Sequence, residues 1–596
     1  MKTCKIEEIR LKGTPISRGV AIGTPFFITA QEDVIPEFTV GLEGVEEELL
    51  RYRRALGRSF EDVLKLQGML EKEDFSDGIS LLDAQLQMMR DPVMTTQIEA
   101  EIASSQKNAE AIFQKHIFRY QKSFQSLQDP FFRERFKDLQ EVFKRIMSYL
   151  CAREGTSLAH IPSHAILIAH ELGVTDIVEA NMRGVIAILT KSGSHTSHAA
   201  IMAKAKGIPF VSNIDPEQLK SLMQHSDVIV DGRTGEVILN PGPDTLLKYR
   251  NIQKTVQLHS SSLKLLGGLK PETVDGYAVR LSANIAMPHE IDLVHQHHAY
   301  GVGLFRSEYL FSSRETCPLE EEQFSVYQAM ALKMKELPLV IRVFDLGGDK
   351  NFLGYTGEVE QNPSLGCRSI RFLLKEREIF KAQLRAILRA SVYGNISILL
   401  PLISSLTELL EAKALINEMK KELSQNQIPF SNQVRVGCMI EVPAAALIAD
   451  LLAQECDFFS IGTNDLTQYT LAVDRNNQAV SFLHTPTHPS VIRLLKLITK
   501  EAHNYGIPVS ICGEIAADPR FTPLLLGLGI HELSVSACHI PAVKNVIRRM
   551  NFAEAKRLTQ YVLTLKTSEE VLAALSHQYL KIVPDDCLYN CEVTRS

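Results

Sequence analysis

Residues 434–465 read VRVGCMIEVPAAALIADLLAQECDFFSIGTND, and this stretch decides the fold. Its two apolar runs, VRVGCMIEVP (434–443) and FFSIGTND (458–465), are continuous rather than alternating. That is the texture of strands buried on both faces. A helical segment separates them, and each run ends in charged or polar groups. The same beat recurs on both sides: VRLSANI (279–285), YGVGLF (300–305), LVIRVFDLGG (339–348), ISILLPLI (396–403), PVSICGE (508–514) and ELSVSA (532–537). Helical segments such as REIFKAQLRAILRAS and SLTELLEAKALINEMKKEL lie between the runs. Eight strands alternating with helices over 271–596 predict a (β/α)8 barrel.

Towards the N-terminus the texture changes twice. From about 42 to 152 glycine is scarce, and charges alternate with Leu, Ile, Met and Phe at helical spacing, as in VEEELLRYRRAL. This predicts a helical bundle. Around it lie short apolar runs: GTPISRGVAIGTPFFI before it, and HAILIAH, GVIAILT, PFVSNI, DVIVDG and GEVILNPGP after it. The simplest organisation is one α/β domain made of 1–33 and 155–243, with a helical domain (34–154) inserted. A linker helix follows (244–270), and then the barrel (271–596).

The chain has 596 residues, 45% apolar and 22% charged, with a net charge of −6. This is the balance of a folded multidomain protein, and it offers no electrostatic attraction to nucleic acid or an anionic membrane. MKTCKIEEIR has no apolar core segment, so no signal peptide is expected, and no apolar run approaches membrane-spanning length. The ten cysteines are scattered and form no zinc pattern, as suits a reducing cytoplasm.

In a (β/α)8 barrel the chemistry sits at the C-terminal ends of the strands. Arg306 follows the second run, and Arg342 lies in the third, which ends in Asp345, Gly347, Gly348 and Lys350. Glu441 ends the fifth. Asn464 and Asp465 end the sixth, with Arg475 ten residues on. Cys512 and Glu514 end the seventh. Several arginines with two carboxylates suit a multiply anionic substrate held beside Mg2+, with Glu441 and Asp465 as the carboxylate pair. The other reading is that these carboxylates simply pair with the arginines. Cys512 lies close to the arginines, where a nearby cation would make its thiol more acidic and a usable proton donor or acceptor; from the residues alone a buried structural cysteine is the better reading.

A second site lies in SGSHTSHAAIMAKAKGIPFV (192–211). Thr196 and Ser197 are helix caps, and AAIMAKAK propagates a helix, so His198 falls in its first turn. There the free N–H groups favour an anion such as a phosphoryl group on the imidazole. These residues alone do not choose between His195 and His198. A metal pair formed by the two lacks further nearby ligands.

The chain resembles the PEP-utilising enzymes in TSHAAIMAKAKGIPFV, GVGLFRSEYLF, IRVFDLGGDK, VGCMIEVPAAA, DFFSIGTNDLTQYTLAVDRNN and CGEIAADP. Within that family it is most similar to the Enzyme I group of the sugar phosphotransferase system, over essentially its whole length. The resemblance implies phosphoryl transfer from phosphoenolpyruvate (PEP) to His198 and on to a carrier protein of the HPr type. It implies that Arg306, Arg342, Arg368 and Arg475 bind PEP, with Asn464 and the Thr463 backbone contacting it. It further implies that Glu441 and Asp465 hold Mg2+, that Cys512 protonates C3 of the enolate, that the inserted helices bind the carrier, and that the barrel forms a homodimer. The segment 244–270 is then the candidate hinge for a swinging histidine domain.

Some positions depart from the family pattern. An arginine usual before the histidine is His195 here. The usual Leu-Thr-Pro-Ser stretch reads Leu172-Gly173-Val174-Thr175. Asp91 matches an acidic position of the carrier surface, but Arg90 is basic where an acid is usual. Two other readings were open: an ATP-dependent PEP synthase or dikinase, for which the region before the histidine unit is too short, and a non-catalytic regulatory homologue, supported only by these departures.

Overall fold

The computed structural model describes residues 8–28, 37–72, 82, 85–125, 142–151, 161–192, 198–205, 207–222, 227–264, 266–311, 317–347, 360–475, 477 and 479–584. The chain is a multidomain α/β protein that divides into two compact units, Met1–Gln257 and Leu258–Ser596.

The first unit is built on an eight-stranded sheet in the order β1-β8-β7-β3-β4-β5-β6-β2. Its strands are β1 (Ile9–Lys12), β2 (Thr14–Ser17), β3 (Val20–Phe27), β4 (Ala165–Ala169), β5 (Ala187–Thr190), β6 (Phe210–Ser212), β7 (Val228–Asp231) and β8 (Glu236–Leu239). Strands β3 to β6 are parallel, and the remaining pairings are antiparallel. The period of two along a strand sorts the core. In β4, Ile166 and Ile168 face one apolar cluster, while Ala165, Leu167 and Ala169 face another. The second cluster continues into the helical insert through Tyr52, Val63, Ile98, Phe113 and Phe143. The insert contributes helices Val45–Lys72, Ile98–Ser105 and Ala109–Gln125 and a further helix over 142–150. Helix Pro243–Lys264 runs through most of the segment expected to be a linker.

The second unit is a closed barrel of eight parallel strands. They are β9 (Arg280–Ile285), β10 (Val302–Arg306), β11 (Leu339–Arg342), β12 (Ile396–Leu400), β13 (Arg435–Ile440), β14 (Phe458–Ile461), β15 (Val509–Ile511) and β16 (Glu532–Ser536). Leu304, Val340, Leu399, Met439, Phe458 and Cys512 cluster together, and the rest of the apolar barrel core forms a separate, larger cluster. Gly437 makes room for Phe458: a Cβ there would stand 2.3 Å from the ring. Strands β11 to β16 end earlier than their apolar runs suggested. Asn464 and Asp465 do not end β14. They lie in the first turn of helix Thr463–Leu471, because the apolar run includes the turn that starts the helix. Among the described residues, no helix is long and apolar enough to cross a membrane.

Candidate active site

The C-terminal ends of the barrel strands bring the basic and acidic side chains into one cup. Arg306 is the last residue of β10, and its side chain is exposed. Arg342 ends β11 and is buried; its Nε donates to Glu308 Oε1 at 3.1 Å, and its Nη2 lies 3.6 Å from Asp345 Oδ2. Burial opposes the charge on Arg342. The carboxylates of Glu308, Asp345 and Glu441 prevail and hold its pKa above the ordinary value. Glu308 Oε1 also accepts the Asp345 amide at 2.9 Å.

Arg368, only 2% exposed, donates through Nη2 to both Asp345 oxygens at 3.1 and 3.0 Å and lies 3.7 Å from Asp465 Oδ2. The loop carrying it is tied back to the end of β11 by a bridge between Gly347 and Arg368 and by Ser369 N donating to the Leu346 carbonyl. Asp465 also meets Arg475, whose Nη1 is 3.1 Å from Oδ1. That contact joins charges without the alignment of a hydrogen bond, so both atoms lack a hydrogen-bond partner among the described residues. Arg368 Nε and Thr463 Oγ1 share this condition. Buried polar atoms are normally paired, so four orphans around one cup mark where a ligand's oxygens and a cation belong.

Glu441, 3% exposed, follows β13 and accepts the Leu402 amide through Oε1 at 2.6 Å. Burial, reinforced by Asp465 and Asp345, pushes its carboxyl up to about 8. Carboxyls crowded in this way fit a hard cation, which would neutralise their repulsion. Among the described residues, no group of three or more His, Cys, Asp or Glu is placed to hold a metal by itself. A pair of carboxylates, with substrate and water completing the shell, is the donor set Mg2+ uses. Asp465 pairs with arginines, as the ion-pair reading expects, while Glu441 is anchored on an amide.

Asn464 is fixed by its neighbour across the cup. Its Nδ2 donates to Glu514 Oε1 at 3.3 Å, and its Oδ1 accepts the Glu514 amide at 3.0 Å. Thr463 packs against Gly513 so closely that a Cβ on that glycine would fall 1.7 Å from Thr463 Oγ1. Cys512 sits beside it, just past β15 and 6% exposed. Its Sγ donates to the Ile461 carbonyl at 3.5 Å, and Ser460 Oγ donates to Sγ at 3.4 Å. The expectation that nearby cations would acidify this thiol is overturned. Burial outweighs Arg342 and Arg306, and the thiol is pushed up to about 11. A thiol that keeps its proton at neutral pH is a poor nucleophile.

His198 belongs to the first unit and opens helix His198–Ala205, whose Ala200, Met202 and Ala203 are buried. His195, Gly348 and Lys350 lie outside the described residues. Gly173 caps helix Val174–Met182, its amide donating to Asp176 Oδ2 at 2.9 Å. Asp91 is exposed on the turn before Val93–Gln97, and the Arg90 guanidinium sits 4.9 Å from the centre of the Phe60 ring. Glu308 and Asp345, central to the cup, were not singled out as site residues in the sequence. Their signal was spacing: Glu308 two residues past Arg306 and Asp345 three past Arg342.

Three family models match: "PEP-utilising enzyme, N-terminal" over residues 12–135, "PEP-utilising enzyme, mobile domain" over 161–235 and "PEP-utilising enzyme, PEP-binding domain" over 261–552. The class is that of the PEP-utilising enzymes. The chain is 36% identical over 562 residues to the phosphoenolpyruvate-protein phosphotransferase of Listeria innocua, covering 94% of this chain and 98% of that protein. With the protein of the same name from Bacillus subtilis it is 35% identical over 573 residues, 96% of this chain and 99% of that one. An NMR solution structure of Enzyme I is also similar, at 29% identity over 41% of this chain and 99% of that one, with a TM-score of 0.37. The chain belongs to the family of the phosphoenolpyruvate-protein phosphotransferases.

Proposed function

We propose that this protein transfers the phosphoryl group of PEP to its own His198 and then to a histidine of an HPr-type carrier in a sugar phosphotransferase system. The observation supporting this most is the cup, where Arg342, Arg368 and Arg475 meet Asp345, Glu441 and Asp465 at one barrel mouth, with Arg306 near Cys512. The arginines bind the phosphate and carboxylate oxygens of PEP and offset the charge of a loose, metaphosphate-like transition state. Glu441 and Asp465 hold Mg2+, which when bound supplies further positive charge to the phosphoryl oxygens. Asn464 and the Thr463 backbone position the substrate.

The His198 imidazole then takes the phosphoryl group as the bond from phosphorus to the enol oxygen breaks. The enolate accepts the Cys512 proton at C3 and leaves as pyruvate, which makes the transfer favourable. Solvent returns a proton to the thiolate. His198 next donates its phosphoryl group to the carrier docked on the inserted helices, on a surface that includes Asp91. The histidine unit must therefore visit the barrel mouth and then leave it, with 244–270 as the hinge. We further place the protein in the cytoplasm as a homodimer through the barrel.

The test is incubation with radiolabelled PEP and Mg2+ followed by addition of candidate carriers. Acid-labile label that appears on the protein and moves to a carrier supports the reading. Absence of label refutes it.

A further inference from the structure

A cavity of about 420 Å3 opens in the second unit away from the cup. Tyr277 precedes β9 and His531 precedes β16, so it lies at the N-terminal ends of the strands, opposite the cup. Its size falls within the range of small-molecule sites, roughly 300–1,000 Å3. Its wall is cationic: Lys496, Lys500 and Lys556 line it with His503 and His531, and the lining includes no carboxylate.

Acids nearby are otherwise engaged. Glu501 lies 3.4 Å from Lys500 and accepts Asn504 Nδ2 at 2.9 Å. Asp275 accepts the amides of Phe552 and Ala553 and the Thr273 hydroxyl. Among the described residues, Lys496 and Lys556 make no ion pair. The Lys556 ammonium rests 4.6 Å from the centre of the Phe552 ring. That ring stacks on Tyr277 with centroids 3.7 Å apart and planes 6° from parallel, making a flat apolar wall beside the cations.

Helix-end electrostatics accounts for only part of this charge. His503 lies in the last turn of helix Pro489–Asn504, where cations are favoured, and its Nδ1 donates to the Thr499 carbonyl at 2.7 Å; Lys500 lies one turn earlier. Lys496 stands two turns from that end. Lys556 lies near the start of helix Phe552–Val562, where the dipole disfavours a cation.

We propose that this cavity is a second anion site, which takes a small organic phosphate. The ammonium and imidazole groups would hold the phosphate, and the Phe552–Tyr277 wall would hold the carbon portion. The site does not rest on the phosphotransfer reading.

Phenyl phosphate is the probe, titrated calorimetrically into full-length His198→Ala protein and into the same protein carrying Arg306→Ala, which weakens the cup. The expected result is saturable binding that weakens by about tenfold or more in a Lys500→Ser, Lys556→Ser double variant, since two of the ammonium groups that hold the phosphate are gone. Phenol, which lacks the anion, is expected not to bind. Three results would overturn the proposal: binding lost on Arg306→Ala, binding indifferent to both lysine substitutions, or phenol binding as well as phenyl phosphate. The substituted lysines are exposed, so thermal melting of the double variant should match the parent and exclude misfolding as the cause.

Discussion

Cys512 shows what one buried side chain contributes. Its thiol is pushed up to about 11 by burial, with Ser460 as a hydrogen-bond donor and two arginines acting in the opposite direction. A thiol whose pKa is raised forms thiolate only as pH climbs through the raised value. Alkylation of Cys512, followed by peptide mass spectrometry, should therefore keep rising with pH through 9 and level off only above about 11. A midpoint below the ordinary 9 would contradict the assigned environment. Cys512→Ala should lower pyruvate release by about 10²–10⁴-fold while PEP binding persists. Glu441 gives a metal test. Mg2+ should raise the melting temperature of the parent protein, and Glu441→Gln should abolish that shift, because one of two carboxylate donors is gone. At this scale the sequence put Asn464 and Asp465 at a strand end where the structure has a helix start, and it misjudged the sign of the Cys512 shift. Spacing shows which cations are near a thiol; it does not show that the barrel closes over it.

The elements set how tightly the cup is held. The turn after β15 meets the start of helix Thr463–Leu471 where Gly513 touches Thr463. Gly513→Ala would force these apart, costing about 1–3 kcal/mol of stability in urea unfolding and raising the KM for PEP more than it lowers kcat. The tie between Arg368 and Asp345 joins the loop after β11 to the cup. Arg368→Ala removes one arginine partner of the buried Asp345 while Arg342 stays 3.6 Å away, and should cost about 1–3 kcal/mol; no measurable loss would show that the contact is not buried as described. All eight barrel strands were legible because continuous apolar runs bounded by turns have few other homes. Their ends were less legible, since glycine and threonine in FFSIGTND fit a strand end and a helix start equally well. The order of the first sheet, with β1 beside β8 and β2 beside β6, joins residues some two hundred positions apart, which local pattern does not encode.

For the whole molecule, the account requires a histidine in one compact unit to react with a substrate bound in the other. Family resemblance chose His198 over His195; the helix that begins at His198 suits a phosphoryl group there, and the residues alone left the choice open. The direct measurement is phosphoryl uptake from labelled PEP with Mg2+, compared among the parent protein, His195→Ala and His198→Ala, with the modified peptide identified. The account predicts acid-labile label on the parent and on His195→Ala, located at residue 198, and none on His198→Ala. Label retained by His198→Ala, or found on another side chain of the parent, would contradict it.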